Sequence, residues 1–204
     1  RADLRAQIAA NERAEDRLAD LLAEHGRAGL RAAFDAVVDY SRDRMEAAIS
    51  DLPSGTFDAE EFLEGDGITD DDIPIRVRLT INEASVTVDF ADTAPQVAGN
   101  VNAPRSVTKS AVYFVVRAVT DPDIPPNHGC YGPVSVEIPS GSLLDPEPPA
   151  AVVGGNVETS QRVTDAVLSA FAEALPDELP AQGQGTMNNL TIGSRDGAGF
   201  SYYE

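Results

Sequence analysis

Four short clusters of polar residues beside glycine mark the middle and C-terminal thirds of this 204-residue chain. They are 99–104 (GNVNAP), 127–130 (NHGC), 154–162 (GGNVETSQR) and 185–189 (GTMNN). An asparagine side chain carries two donors and two acceptor lone pairs, so burying it without partners is costly. Such clusters are typical of a site that holds a polar substrate, or of loops organised by side-chain hydrogen bonds.

The cluster 154–162 is the strongest candidate for a site. Its glycines and Asn156 precede a predicted helix over 157–175, which Asn156 can cap. Backbone amides at such a helix N-terminus bind a carboxylate, a phosphate or a developing oxyanion. Glu158 could transfer a proton in the first turn, whereas Glu158 and Arg162, four residues apart, could equally form a helix salt bridge.

The clusters 99–104 and 127–130 leave their alternatives open. Asn100 and Asn102 alternate along an extended segment, so both side chains can point the same way and clamp a substrate amide or carboxylate. Asx turns that organise the loop are the other interpretation. His128 and Cys130 lie in a Pro/Gly loop, where catalytic groups often lie, but a lone loop histidine is usually not catalytic.

In this order, the clusters resemble the hydantoinase B family, which includes oxoprolinase and the alpha subunits of acetone and acetophenone carboxylases. The resemblance extends over nearly the whole chain and implies a fragment of a larger fold. Its further blocks are 3–7 (DLRAQ), 9–11 (AAN), 110–113 (SAVY) with Arg117, 121–125 (DPDIP), 139–144 (PSGSLL), 148–150 (PPA) and 202–204 (YYE).

The resemblance implies ATP-coupled hydrolysis of a cyclic amide, such as a hydantoin or 5-oxoproline, by a larger enzyme of which this chain alone is inactive. ATP-coupled ketone carboxylation is the alternative, and a non-catalytic scaffold or relic fragment is the alternative from another class. Asn156, Glu158 and Arg162 then become the predicted catalytic residues. The predicted substrate-binding residues are Asn100, Asn102, Thr186, Asn188 and Asn189.

The chain carries no nucleotide-binding motif, because 183–189 lacks both a Walker lysine and a dinucleotide fingerprint. The resemblance places ATP and Mg²⁺ on a hydantoinase A-type partner subunit of a hetero-oligomer. The family's carboxylases hold a divalent metal on residues of the part that would precede Arg1. His25 and His128 match no such ligand motif, so we expect no metal on this chain.

The net charge of −19 indicates a surface that repels nucleic acid and anionic membranes. It is typical of solubility at high salt or of a high-GC genome; a patch for a basic partner is the alternative. The sequence has no apolar run that could cross a membrane and no signal peptide, so we expect a cytoplasmic protein. A single cysteine excludes internal disulfides.

The elements predict an α+β or α/β fold with N-terminal helices, a mixed sheet and a buried central helix. We expect a helical segment over 1–50, divided at Gly26, and a mixed α/β core segment over 51–204 that forms a single incomplete domain. Within the core, 51–72 is predicted to be a polar loop, and 73–82 with 85–91 a β-hairpin.

Residues 106–120 predict a helix that is buried on nearly every side. Its stripe of Lys109, Tyr113 and Arg117 could snorkel to the surface or face a substrate. A strand is predicted over 134–138, and paired strands over 190–194 and 199–203. We expect apolar surface to be exposed on the first helix and on these last strands.

Overall fold

A computed structural model describes residues 2–188, 191–193 and 201–203. The elements are α1 (Ala2–Ser50), β1 (Gly55–Leu63), β2 (Ile73–Asn82), β3 (Ser85–Asp89), α2 (Arg105–Val119), β4 (Val134–Glu137), α3 (Thr159–Ala174), β5 (Thr191–Gly193) and β6 (Ser201–Tyr203). One-turn 3₁₀ helices cover 129–131 and 154–156. This confirms the mixed α/β prediction.

The main sheet has the strand order β1-β2-β3-β4. β1, β2 and β3 are antiparallel neighbours, and β3 pairs with β4 in parallel. The chain must cross the sheet between two parallel neighbours, and α2 supplies that crossover. The predicted hairpin is confirmed, with Asn82 opposite Ser85 at its turn.

One face of the sheet forms the core. β2 alternates along its length and buries Ile75, Leu79 and Ile81 on the face of the sheet that packs against α3. From α3, Phe171 is completely buried, and the predicted apolar face of this helix is confirmed. The opposite face of the sheet is charged, and Arg78 lies opposite Asp58 across the β1–β2 pair, with a 2.8 Å hydrogen bond between them.

β1 corrects the prediction of a loop over 51–72. It pairs with β2 along its full length, from Gly55 to Leu63. Its alternation was hidden because the half-buried positions carry Ala59 and Glu61, whereas Phe62 faces solvent. The strand is therefore fixed by nine backbone partners on β2 rather than by its own pattern.

The predicted division of the N-terminal helix at Gly26 is confirmed. Gly26 has φ 68° and ψ 163°, a combination that is essentially restricted to glycine. The second half of α1 joins the core through the buried side chains of Met45 and Ile49. The loop at 127–131 also contacts it: the backbone of Gly129 approaches Val38 so closely that an added Cβ would lie 1.9 Å from the Val38 carbonyl oxygen.

The first half of α1 lies outside the core, with every described residue up to Gly29 exposed. The prediction of exposed apolar surface on this helix is thus confirmed. α2 is less buried than predicted, because Phe114 projects into solvent while Val112 and Val115 enter the core. No helix in the described part of the chain combines the length and apolarity needed to cross a bilayer.

Candidate functional site

The clusters 99–104 and 154–162 are far apart in sequence but meet at the start of α3. The Gly154 amide donates to the Asn100 carbonyl over 2.8 Å. The two backbones are so close that a Cβ added at Gly155 would lie 2.0 Å from the Asn102 carbonyl oxygen. Glycine at 154–155 is therefore required by the crossing of two loops, and not by a turn of its own.

Asn102 holds this crossing together from inside. Its side chain is fully buried, and Oδ1 accepts a hydrogen bond from the Val97 amide over 2.8 Å. Its Nδ2 donates to the carbonyls of Val97, Gly99 and Ala151 at 2.9 to 3.0 Å. The prediction that Asn102 contacts a substrate is corrected here: every polar atom of its side chain bonds to loop backbone, and none reaches the surface.

The prediction that the side chains of Asn100 and Asn102 point in the same direction is wrong, because Asn100 is exposed whereas Asn102 is buried. The prediction that Asn156 caps the helix is also wrong. α3 begins at Thr159, the preceding residue is Glu158, and Asn156 lies in the 3₁₀ turn before it. The amides of Val157 and Glu158 donate to the Gly154 carbonyl at 3.2 and 2.8 Å, so they are not bare anion-binding groups.

The third cluster, at 185–189, joins the other two. The Met187 amide donates to the Val157 carbonyl over 3.3 Å, and the Asn188 amide donates to the Thr186 hydroxyl over 3.1 Å. This brings Thr186 and the exposed Asn188 to the beginning of α3. The remaining predicted residue, Asn189, lies outside the described residues.

Arg162 is held between α3 and the end of β1. Its side chain is only 17% exposed, and Nη2 donates to Glu64 Oε1 over 3.0 Å. Gly185 lies directly against it, because a Cβ there would be 2.6 Å from three guanidinium atoms. Arg162 thus connects the first turns of α3 to the third cluster through packing as well as charge.

A buried carboxyl lies one turn further along α3. Burial and the neighbouring Glu61 carboxylate raise the pKa of Asp165, while Arg162 and the Gly183 amide act in the opposite direction. Gln182 donates to Glu61 and so closes the cluster over β1. Asp165 is three residues from Arg162 in the sequence, whereas no sequence pattern indicates that Glu61, on a strand, would face them.

Asp66 is the site-forming residue that the sequence analysis missed. Its carboxylate accepts the amide N–H groups of Thr69 and Ile68, both at 2.9 Å, and of Gly99 at 2.8 Å. These bonds lower the pKa of Asp66. The segment 65–67 (GDG) was the available signal, since an aspartate between glycines favours an Asx turn.

A groove of about 450 Å³ runs between α2 and α3. Asn156, Ser160 and Gln161 line one wall, and Ser106 and Phe114 line the other. Asn156 is the predicted site residue that enters this groove, whereas Arg162 faces Glu64. The predicted residues therefore share one end of the domain without all lining one cavity.

Two of the three residues in the polar stripe of α2, Tyr113 and Arg117, have structural partners. Tyr113 stacks on Tyr131 with ring centroids 4.2 Å apart. Arg117 Nη2 donates to the carbonyls of Pro122 and Ile124 at 2.8 and 3.0 Å. These contacts fix the 120–131 loop against α2. They favour a structural role for Tyr113 and Arg117 over contact with a substrate.

Neither His128 nor Cys130 gains a catalytic setting. Cys130 is fully buried and its Sγ donates to the Asn127 carbonyl over 3.1 Å, while His128 is exposed. Among the described residues, no three His, Cys, Asp or Glu side chains are grouped closely enough to hold a metal ion.

The fold is thus a two-layer α/β domain whose polar loops converge at the start of α3. The chain belongs to the hydantoinase B/oxoprolinase family, whose model matches residues 1–204. It is 40% identical to 5-oxoprolinase 1 of Arabidopsis thaliana over 99% of this chain and 16% of that protein. It is 28% identical to the putative B subunit of a D-/L-hydantoinase from Pseudomonas sp. strain NS671, over 98% of this chain and 36% of that protein.

Two solved structures share the fold. An ATP-dependent caprolactamase from Pseudomonas jessenii superposes with a TM-score of 0.79 at 29% identity, covering 87% of this chain and 31% of that chain. Nucleotide-free acetone carboxylase gives 0.67 at 16% identity, covering 77% and 22%. The chain therefore spans well under half the length of each of these relatives, and the acetone carboxylase likeness concerns the fold alone.

Proposed function

We propose that these 204 residues form part of an ATP-dependent enzyme that hydrolyses a cyclic amide of the hydantoin or 5-oxoproline class. Membership of the hydantoinase B/oxoprolinase family supports this class of reaction. The relative named 5-oxoprolinase and the neighbour named ATP-dependent caprolactamase both support a ring amide as the substrate. Ketone carboxylation is less well supported, since the acetone carboxylase is only 16% identical.

The convergence of three polar clusters at the start of α3 carries this proposal. Asn100, Asn156 and Asn188 come from three different loops, and all three side chains are exposed near the same turn. Ring opening develops negative charge on the amide oxygen, and fixed donors that face this charge lower the barrier. The tight backbone contacts at Gly154 and Gly155 hold such donors in place before a substrate binds.

Within that site we propose a division of roles. Asn156, on the wall of the α2–α3 groove, donates to the substrate carbonyl. Glu158, half-buried immediately before the first turn of α3, transfers a proton. Arg162 orients the third cluster, with Thr186 and Asn188, through its contact with Gly185.

ATP and Mg²⁺ are proposed to bind to a hydantoinase A-type partner subunit, which agrees with the name of the Pseudomonas relative as one subunit of a hydantoinase. A divalent metal, if the enzyme uses one, does not fit the described residues, because they contain no suitable ligand group. We therefore assign no step of the reaction to a metal on this chain. The expected cytoplasmic location stays a prediction.

The test uses a hydantoinase B-type polypeptide of the relatives' length that contains these residues, together with its partner subunit. Substrate-dependent ADP release is measured with 5-oxoproline, hydantoin and caprolactam, and with acetone plus bicarbonate for carboxylation. We expect turnover of a ring amide, and we expect Asn156→Ala to reduce kcat by about 100-fold or more. The control Asn82→Ala, at the exposed end of β2, should leave kcat unchanged.

Each other result has a defined meaning. Turnover of ketone alone would favour the carboxylase alternative. Full activity in both Asn156→Ala and Arg162→Lys would favour a scaffold role for the clusters. ATP-dependent turnover by the 204 residues alone would contradict the assignment of ATP to a partner.

A further inference from the structure

The first half of α1 carries an apolar stripe that the domain does not cover. We call residues 2–25 the arm. Leu4, Ile8, Leu18 and Leu22 lie on one face of the arm and are 40 to 63% exposed. Scattered exposed apolar residues are normal, but four aligned on one helical face indicate a binding surface.

The stripe is symmetric about position 13 of the sequence. Leu4 and Leu22 are equally distant from that position, and so are Ile8 and Leu18. A second arm laid antiparallel therefore places Leu4 against Leu22 and Ile8 against Leu18 at both ends of the pair. An interface related by a two-fold axis needs a surface of this self-complementary kind.

The middle of the stripe selects the direction of pairing. Asn11 and Glu15 continue the alternating spacing of four and three residues between Ile8 and Leu18, as in the seam of a coiled coil. In an antiparallel pair, the Asn11 amide of one arm meets the Glu15 carboxylate of the other. A parallel pair would instead bring two Glu15 carboxylates together.

The charge of the whole chain favours the same direction. Each copy carries a net charge of −19, so two domains placed side by side would repel each other. An antiparallel pair of arms is about 36 Å long at 1.5 Å per residue, and the two domains lie at opposite ends. That distance exceeds the Debye length of about 8 Å at physiological salt.

We propose that the arm binds a second copy of this chain through an antiparallel helix pair whose two-fold axis passes near residue 13. This interface is separate from the polar clusters at the start of α3 and does not depend on the proposed reaction.

Disulfide trapping tests the direction of the pair. The native Cys130 is fully buried and does not compete. The double variant Ile8→Cys/Leu18→Cys should form a covalent dimer on mild oxidation, and these positions cannot react within one helix because they are about 15 Å apart. Ile8→Cys alone and the outward-facing Arg13→Cys should remain monomeric on a non-reducing gel. Efficient cross-linking of Ile8→Cys alone would indicate a parallel pair and overturn the proposal.

Sedimentation velocity tests the strength of the pair in the unmodified chain. We expect a concentration-dependent monomer–dimer equilibrium that Leu18→Glu weakens by about 100-fold or more, because two carboxylates would enter the apolar seam. Ala9→Glu, which adds the same charge on the opposite face of the arm, is the matched control and should dimerise like the wild type. A wild-type chain that stays monomeric at every concentration, or equal effects of the two variants, would refute the pairing and leave the stripe to another polypeptide.

Discussion

Replacing Asn102 with alanine would remove four hydrogen bonds at once from a side chain that is completely buried. The side-chain amide has two hydrogens for three carbonyl acceptors, so the set is equivalent to about three full bonds. At about 1 kcal/mol net for each bond, plus the cost of backbone groups left unpaired, we expect a loss of about 3–4 kcal/mol of unfolding free energy.

Urea titration followed by circular dichroism measures this loss directly. The midpoint should fall while the slope of the unfolding free energy against urea stays constant, because the buried area hardly changes. For a chain of this length, the melting temperature should fall by about 10 °C. Asn100→Ala is the matched control in the same loop, and since Asn100 is exposed it should change stability by less than about 0.5 kcal/mol.

Asn102→Asp separates hydrogen bonding from side-chain size. It retains an acceptor for the Val97 amide but turns a carboxylate toward three carbonyl oxygens, so it should destabilise the chain at least as much as alanine does at neutral pH. If Asn102→Ala lies within about 1 kcal/mol of the wild type, on the order of the net value of one hydrogen bond, Asn102 does not hold the loops together, and the reasoning fails.

Three further substitutions test other parts of the structure. Because the pKa of Asp66 is lowered, its contribution to stability is present above the ordinary aspartate pKa and is lost as pH falls through the lowered value. When urea midpoints are measured against pH, Asp66→Asn should therefore lack this loss on the acid side. A pH profile identical to that of the wild type would refute the prediction. The pKa of Asp165 is raised, so its effect on stability is opposite: stability is lost as pH rises from the ordinary aspartate pKa through the raised pKa. Asp165→Asn should therefore be at least as stable as the wild type at neutral pH. A large loss of stability there would contradict burial and Glu61 as the cause of the raised pKa. Gly155→Ala places a Cβ 2.0 Å from a backbone oxygen and should reduce the free energy of unfolding by about 3 kcal/mol or more. At Gly183 the nearest atom is 3.9 Å from the added Cβ, so the same change should cost less than about 1 kcal/mol. Equal losses of stability in thermal melts would show that the two loops can move apart.

Periodicity predicted the elements whose apolar residues alternate or recur regularly. β2 has a large apolar residue at every second position, and α3 presents Val163, Val167 and Phe171 on one face, so both could be found from the sequence. β1 could not, because Glu61 takes an inward position next to Asp165. Only the folded structure shows that α3 packs against β1 and brings Asp165 next to Glu61.

The polar clusters were recognisable, but the role of each member depended on long-range geometry. Asn100 and Asn102 are chemically identical and two positions apart, yet one is exposed and the other is enclosed by backbone from 97 to 151. Asp66 was missed because its most distant partner, Gly99, is 33 residues away. Residue type indicates what a side chain can bond to, whereas the crossing of loops decides which bonds it makes.

Because α1 is broken at Gly26, this one residue can act as the hinge between the arm and the domain. The arm is about 36 Å long, so a rotation of about 10° at this one residue displaces its tip by about 6 Å, while the domain beyond the pivot does not move. Alanine at this position would be strained in the observed backbone conformation and would favour one continuous rod about 74 Å long over Ala2–Ser50. The direction in which the arm extends, and hence the distance at which it meets anything, is set by the torsions of one glycine.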